Sequence, residues 1–136
     1  MIPHREFSEL FPRMMELMGP KIYGESGVTA QQFRVLRLIG REPVTVGDLS
    51  NRSNAKASAM TRLLRRMETK GWVAKSQDAG DRRVVWLKLT NEGQAVMEKI
   101  SHNRDRVFQE IFSKLSAEQQ QQIIESIRLI LKSLSE

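Results

Sequence analysis

Apolar residues recur mostly three or four positions apart along this chain, the signature of helices that bury one face. Phe7, Leu10, Phe11, Met14, Leu17 and Met18 form the first such stripe, and Gly19-Pro20 is expected to end it. A second helix is predicted from Thr29, where Gln32 three residues on completes a capping box. It turns Phe33, Leu36 and Ile39 inward and stops at Gly40. After Pro43-Val44, Thr45 can cap a short helix holding Val46 and Leu49, with Asp48 in its first turn. A turn around Ser53-Asn54 leads to a fourth helix, whose buried stripe is Met60, Leu63, Leu64 and Met67. Gly71 supplies the left-handed position that closes this helix, and Trp72 the apolar residue that seals such an end.

The period then changes from helical to alternating. Val73 to Ser76 and Val84 to Leu89 read as strands; in the second, Val85, Leu87 and Leu89 face away from Val84, Trp86 and Lys88. Asp78-Ala79-Gly80-Asp81 is the hairpin tip. Thr90 caps a long fifth helix with Val96, Met97, Ile100, Val107, Phe108 and Ile111 along one side. Ser116 and Gln119 make a second capping box, which opens a sixth helix carrying Ile123, Ile124, Ile127, Ile130, Leu131 and Leu134. A short helix, a turn, a second helix and a hairpin make a winged helix-turn-helix. The fold class is therefore mainly α (α+β), with flanking helices on both sides of the winged unit.

Charge sharpens this picture. Residues 52–88 hold ten basic and three acidic side chains, a surplus of seven, while the whole chain of 136 residues carries +6. The rest is thus slightly acidic, and the positive charge sits in one supersecondary unit. A surface that must neutralise phosphates and release their counterions has this footprint. The helix pair and hairpin suit duplex DNA, with the second helix in the major groove.

The residues that carry this chemistry also carry a resemblance. Val44-Thr45-Val46-Gly47-Asp48-Leu49, the run from Met60 to Val73, Asp78-Ala79-Gly80-Asp81-Arg82-Arg83 and Leu87-Lys88-Leu89-Thr90-Asn91-Glu92-Gly93 resemble the MarR family of bacterial winged-helix transcription regulators. The likeness covers nearly the whole chain, and its most specific element is the Asp-x-Arg wing signature at Asp81-Arg82-Arg83. It implies a homodimer whose first, fifth and sixth helices interlock, and a pseudo-palindromic operator as partner. It implies, too, a small-molecule effector, unidentified, in a pocket between two lobes; Met14, Met15, Met18, Phe7, Phe11, Tyr23 and Phe33 are candidates to line it. One departure stands out. Where the family commonly starts its recognition helix with a hydroxyl residue and proline, this chain has Lys56-Ala57, so Asn54 or Ser53 is expected to cap instead.

Roles follow from position. On the polar face of the fourth helix, Ser58, Thr61 and Arg62 are candidates for base edges, Arg62 for bidentate contact to guanine, with Lys56 and Arg65 beside them. In the wing, Arg83 is the candidate for a narrow minor groove, with Arg82 next to it and Asp81 bracing the hairpin through an arginine. Arg52 and Lys75 are phosphate candidates, whereas Arg66 and Lys70 fall toward the far end of the helix. Phe7, Phe11, Phe108, Ile111, Ile127, Ile130 and Leu134 are more apolar surface than one lobe can hide, which marks a dimer surface. The expected division is a DNA-binding lobe at 29–99 and a dimerisation lobe from 1–28 and 100–136.

Other chemistries find little footing. With no cysteine there is no disulfide, thiolate metal site or thiol switch within the chain. Glu98 and His102 share a helix face, but two ligands fall short of a zinc set. No Gly-rich phosphate loop, nucleophile elbow or HExxH motif points to an enzyme, and no cofactor is expected. The N-terminal residues do not read as a signal peptide, nor any run as a membrane span, so a cytoplasmic protein is expected. The remaining alternative is a winged-helix module for protein–protein contacts, without specific DNA binding.

Overall fold

Polar caps and apolar stripes settle where each helix begins and which face it hides. In the computed structural model, which describes residues 2–53 and 55–136, the order is α1 (Pro3–Tyr23), α2 (Ala30–Ile39), β1 (Val44–Thr45), α3 (Val46–Ser53), α4 (Ala57–Thr69), β2 (Val73–Gln77), β3 (Val85–Leu89), α5 (Asn91–Ser113) and α6 (Ala117–Ser135). The fold is mostly helical, with a three-stranded antiparallel sheet of order β1-β3-β2. Both capping boxes form: Thr29 with Gln32, and Ser116 with Gln119. Thr45 Oγ1 accepts from Asp48 N–H at 3.0 Å and so opens α3.

The core gathers where the winged unit meets α1 and α5. Met18 and Ile22 from α1, Phe33, Leu36 and Ile39 from α2, and Leu49 from α3 are buried with Met60, Leu64 and Met67 of α4. Leu87 and Leu89 close it from the sheet, and Ile100 and Val107 from α5. Of the α4 stripe, Leu63 is only partly buried.

The end of α4 is built as expected of Gly71-Trp72. Gly71 has φ +80°, its N–H bonds the Glu68 carbonyl at 2.9 Å, and Trp72 N–H bonds the Met67 carbonyl at 3.0 Å. These are the paired bonds of a Schellman closure. They fix where the recognition segment stops and the wing begins.

Two expectations need correction. The first helix does not stop at Gly19-Pro20; α1 continues through Pro20, as through Pro12, to Tyr23. An interior proline forfeits one backbone bond, but stopping there would pull Ile22 out of the core, where it is 5% exposed. The chain leaves the helix at Gly24, whose N–H returns to the Pro20 carbonyl at 2.9 Å. The second correction concerns the sheet. Val44-Thr45 is a strand, its residues paired with Leu87 and Trp86 of β3. Two residues cannot show alternation, so their β-branched character was the only signal.

The terminal helices leave much apolar surface bare. No residue of α6 is buried, and Phe7, Phe11, Phe108, Ile111, Ile127, Ile130 and Leu134 are all exposed. The bundle does not close on itself.

Candidate nucleic-acid interface

The basic side chains of α4 and the wing are open to solvent. Lys56, Ser58, Thr61, Arg62 and Arg65 are exposed along α4, as are Arg52 at the end of α3, Lys75 on β2, and Arg82 and Arg83 after the hairpin tip. Thr61, Lys75 and Arg83 converge on a cleft of about 470 Å³, floored by Val46, Gly47, Val84 and Val85. Recognition helix, strand and wing thus contribute to one concavity. Arg62 and Arg65 lie outside its lining.

The start of α4 differs from expectation. Lys56 occupies the N-cap position, and its own side chain makes no cap hydrogen bond. Ser53 does not serve, because its hydroxyl donates to the Ser50 carbonyl at 3.3 Å within α3; Asn54 lies outside the described residues. A lysine at this position offers no acceptor to the first backbone N–H groups, which lie at the positive end of the helix dipole. Replacing Lys56 with Ser should raise thermal stability by about 1 kcal/mol, since it supplies a cap. The same change should weaken DNA binding by removing a cation. Melting and anisotropy titrations check the two signs, and a variant that binds more tightly contradicts the placement.

Thr61 has a further constraint. Its hydroxyl donates to the Ala57 carbonyl at 2.8 Å, so outward it presents lone pairs and a methyl rather than a donor. Lys70 is likewise engaged: its Nζ donates to the Gly27 carbonyl at 3.3 Å and lies 5.1 Å from the Trp72 ring centre. It ties the end of α4 to the α1–α2 loop.

The wing is a small machine of carboxylates. Asp81 Oδ1 accepts from Arg83 N–H at 2.9 Å and Nε at 3.2 Å, while Oδ2 accepts from Nη2 at 3.3 Å. Asp81 is therefore paired with Arg83, whose side chain is 91% exposed. Sequence reasoning missed Asp78. Its Oδ2 accepts from the backbone N–H groups of Gly80 (3.0 Å) and Asp81 (3.1 Å), and its Oδ1 from Trp86 Nε1–H (2.9 Å). An aspartate two residues before a glycine was the available signal, because Asx turns favour that spacing.

These bonds hold both carboxyls below the ordinary value of 3.8: for Asp78 chiefly the Trp86 indole and then Gly80 N–H, for Asp81 chiefly the Arg83 side chain and then its N–H, against slight desolvation in each. With folded values depressed, their contribution is fully present above pH 3.8 and is lost as pH falls through the folded values. The Trp86 indole proton signal should hold constant from neutral pH down to about 4, then shift toward that of free indole in stronger acid. A midpoint at or above the ordinary aspartate value contradicts the assignment.

Away from this cleft, the remaining candidates separate. Phe7, Phe11, Met14 and Met18 line a groove of about 740 Å³ between α1 and α5. Phe33 is buried in the core, with Tyr23 edge-on at 6.1 Å. Met15 is exposed and lines neither. Glu98 accepts from Gln94 Nε2 at 2.8 Å, and no three metal-ligating side chains gather among the described residues. No helix among them is long and apolar enough to cross a membrane.

Comparison with known proteins follows the same surface. A sequence profile of the MarR family matches residues 26–84, from just before α2 to the residue before β3. The HTH-type transcriptional repressor MdtR of Bacillus subtilis is 31% identical over 114 residues, which cover 83% of this chain and 70% of that protein. This chain belongs to the MarR family. The HTH-type transcriptional regulator FarR of Neisseria gonorrhoeae is 32% identical over 98 residues, 71% of this chain and 67% of FarR, so such alignments span about two thirds of the relatives' lengths. A cysteine-to-serine mutant of MarR from Escherichia coli, solved with operator DNA, superposes with TM-score 0.74 at 26% identity, covering 98% of this chain and 94% of that one. Streptococcus pneumoniae FabT, solved with DNA, gives 0.82 at 19% identity over 97% and 94% of the two chains, a likeness of fold. The wing of this chain pairs Asp81 with Arg83, and Lys56 stands at the N-cap of its recognition helix.

Proposed function

We propose that two copies of this chain pair through α1, α5 and α6 and set their α4 helices into successive major grooves of a pseudo-palindromic operator. In this arrangement residues 29–99 hold the DNA, and 1–28 with 100–136 hold the partner. Bound there, the dimer represses transcription by occlusion. The observation that carries the reading is a cleft that Thr61 of α4, Lys75 of β2 and Arg83 of the wing line together, on a winged unit whose other basic side chains on α4 and the wing are exposed. A winged helix used for protein contacts has no reason to keep basic residues at groove and wing positions together. MdtR is named a repressor, and the Escherichia coli MarR mutant was solved on operator DNA.

Within this reading Arg62 grips a base edge, Ser58 and Thr61 adjust the fit, and Lys56, Arg65, Arg52 and Lys75 meet phosphates. Arg83, with Arg82 beside it, enters the minor groove. An effector acts by favouring a spacing of the two α4 helices that no longer matches half-sites about one turn apart. The protein is a regulator rather than an enzyme, and its place is the bacterial cytoplasm, where the DNA is. Sites selected from a random duplex library supply the test. Arg62→Ala should cost about 1–3 kcal/mol on the selected site and flatten preference at one base pair. Unchanged affinity and unchanged selectivity would remove Arg62 from its role.

A further inference from the structure

The wing holds its two carboxylates in series, and only the second touches an arginine. Asp81 grips Arg83 through backbone and guanidinium alike. Asp78 stands behind it, with one oxygen on the N–H of Asp81 and the other on the indole of Trp86. Trp86 belongs to β3, the central strand, where it pairs with Thr45 of β1 and Ser76 of β2. A continuous path of hydrogen bonds therefore runs from the middle of the sheet, through Asp78, to the tip and its arginine.

Trp86 is on the face of β3 away from the core, whereas Leu87 and Leu89 are buried on the other. Packing alone would accept many apolar residues there. An indole differs from them in its donor, which has no acceptor role and so commits to one partner. The base of the hairpin is already closed by Asp78 N–H to the Val84 carbonyl and Val84 N–H to the Asp81 carbonyl, each 3.0 Å. The indole bond is thus not needed to form the turn. What it adds is a fixed orientation of the turn relative to the sheet. Without that, Arg83, 91% exposed just after the tip and held only by Asp81 of the same turn, would take many directions relative to the sheet.

We infer that Trp86 and Asp78 are positioning residues for the wing arginine: the indole–carboxylate bond orients the tip so that Arg83 meets the duplex from one direction. This rests on the reading of the wing as a DNA contact, and it adds two residues that touch no DNA themselves. The free protein then carries Arg83 pre-aligned, and binding need not order it.

Two measurements decide it. In the first, a random-sequence 30-base-pair duplex pool is titrated by anisotropy at 50–200 mM salt with wild type, Trp86→Phe, Asp78→Ala, Arg83→Ala and the Trp86→Phe/Arg83→Ala double variant. Trp86→Phe keeps the ring and loses the donor; Asp78→Ala loses the acceptor in a separate segment, so poor folding of one does not disable the test. Each should weaken binding about three- to tenfold, the cost of ordering one long side chain on binding. Trp86→Phe should not weaken it further once Arg83 is gone. A loss that persists in the Arg83→Ala background overturns the inference, because it shows a general structural effect. In the second, the Arg83 Nε–H signal is followed by ¹⁵N NMR without DNA. It should be resolved in wild type and collapse onto the exposed-arginine envelope in Trp86→Phe; a signal that stays put overturns the relay. Wild type that ignores the duplex pool overturns the DNA-binding reading instead, and the NMR result still decides the relay.

Discussion

Replacing Gly93 with Ala should destabilise the protein by about 3 kcal/mol or more, the upper range for inserting a carbon into a packed site that cannot yield. A Cβ at position 93 would lie 2.0 Å from the Trp72 carbonyl oxygen and 2.9 Å from its carbon. The obstructing atoms are backbone, so no rotamer change relieves the overlap. That same carbonyl accepts Thr90 N–H at 3.0 Å. The Thr90 hydroxyl in turn donates to the Gly71 carbonyl and accepts from Gly93 N–H at 3.0 Å. The first turn of α5 is therefore stapled to the turn that ends α4. Forcing them apart breaks the staple and tilts the recognition helix, so DNA binding should fall together with the melting temperature. Gly19 gives the opposite expectation. It is inside α1, and a Cβ added there would meet nothing within 4 Å beyond its chain neighbours, so Gly19→Ala should gain up to about 0.5 kcal/mol from helix propensity, Pro20 offsetting the rest. Thermal melts of the two variants check both signs; equal effects would mean that Trp72 and Gly93 are not in close apposition.

The contrast between these glycines shows what the sequence could and could not reveal. Gly71 was legible, because a glycine followed by a large apolar residue at the end of a helical stripe has a local cause. Gly93 is just as constrained, yet its constraint comes from Trp72, in the turn after α4 and far back along the chain. Local patterns likewise marked the caps at Thr29, Thr45, Thr90 and Ser116, since each needs only residues within three positions. Tertiary demands explain the departures. Burial of Ile22 carried α1 across Pro20, and the free edge of β3 recruited Val44 and Thr45 into the sheet. In the interface, type and spacing marked the arginines, but the role of Asp78 required Trp86, eight residues away across the hairpin.

Ile130→Glu should abolish pairing of the protein and lower its affinity for a two-half-site duplex by about 10²–10⁴-fold, the avidity that linked sites lose on separation. Ile130 is exposed in the single chain, on a helix that buries nothing. A charge placed there costs one copy within about 0.5 kcal/mol, as at other surface positions. The same carboxylate buried against a second copy, with no partner, costs several kcal/mol. A large effect must therefore come from assembly and not from the fold. A helix in a protein draws most of its stability from packing an apolar face, and Leu134, at 77% exposure, ends a stripe with Ile123, Ile127 and Ile130 that its own chain leaves exposed. Phe7 and Phe11, stacked at 5.6 Å, present a second uncovered patch on α1. Sedimentation velocity should show wild type as a dimer at micromolar concentration and Ile130→Glu as a folded monomer with unchanged helical content. A variant that stays dimeric and binds as tightly as wild type would place the pairing surface elsewhere and leave the stripe on α6 without a physical purpose.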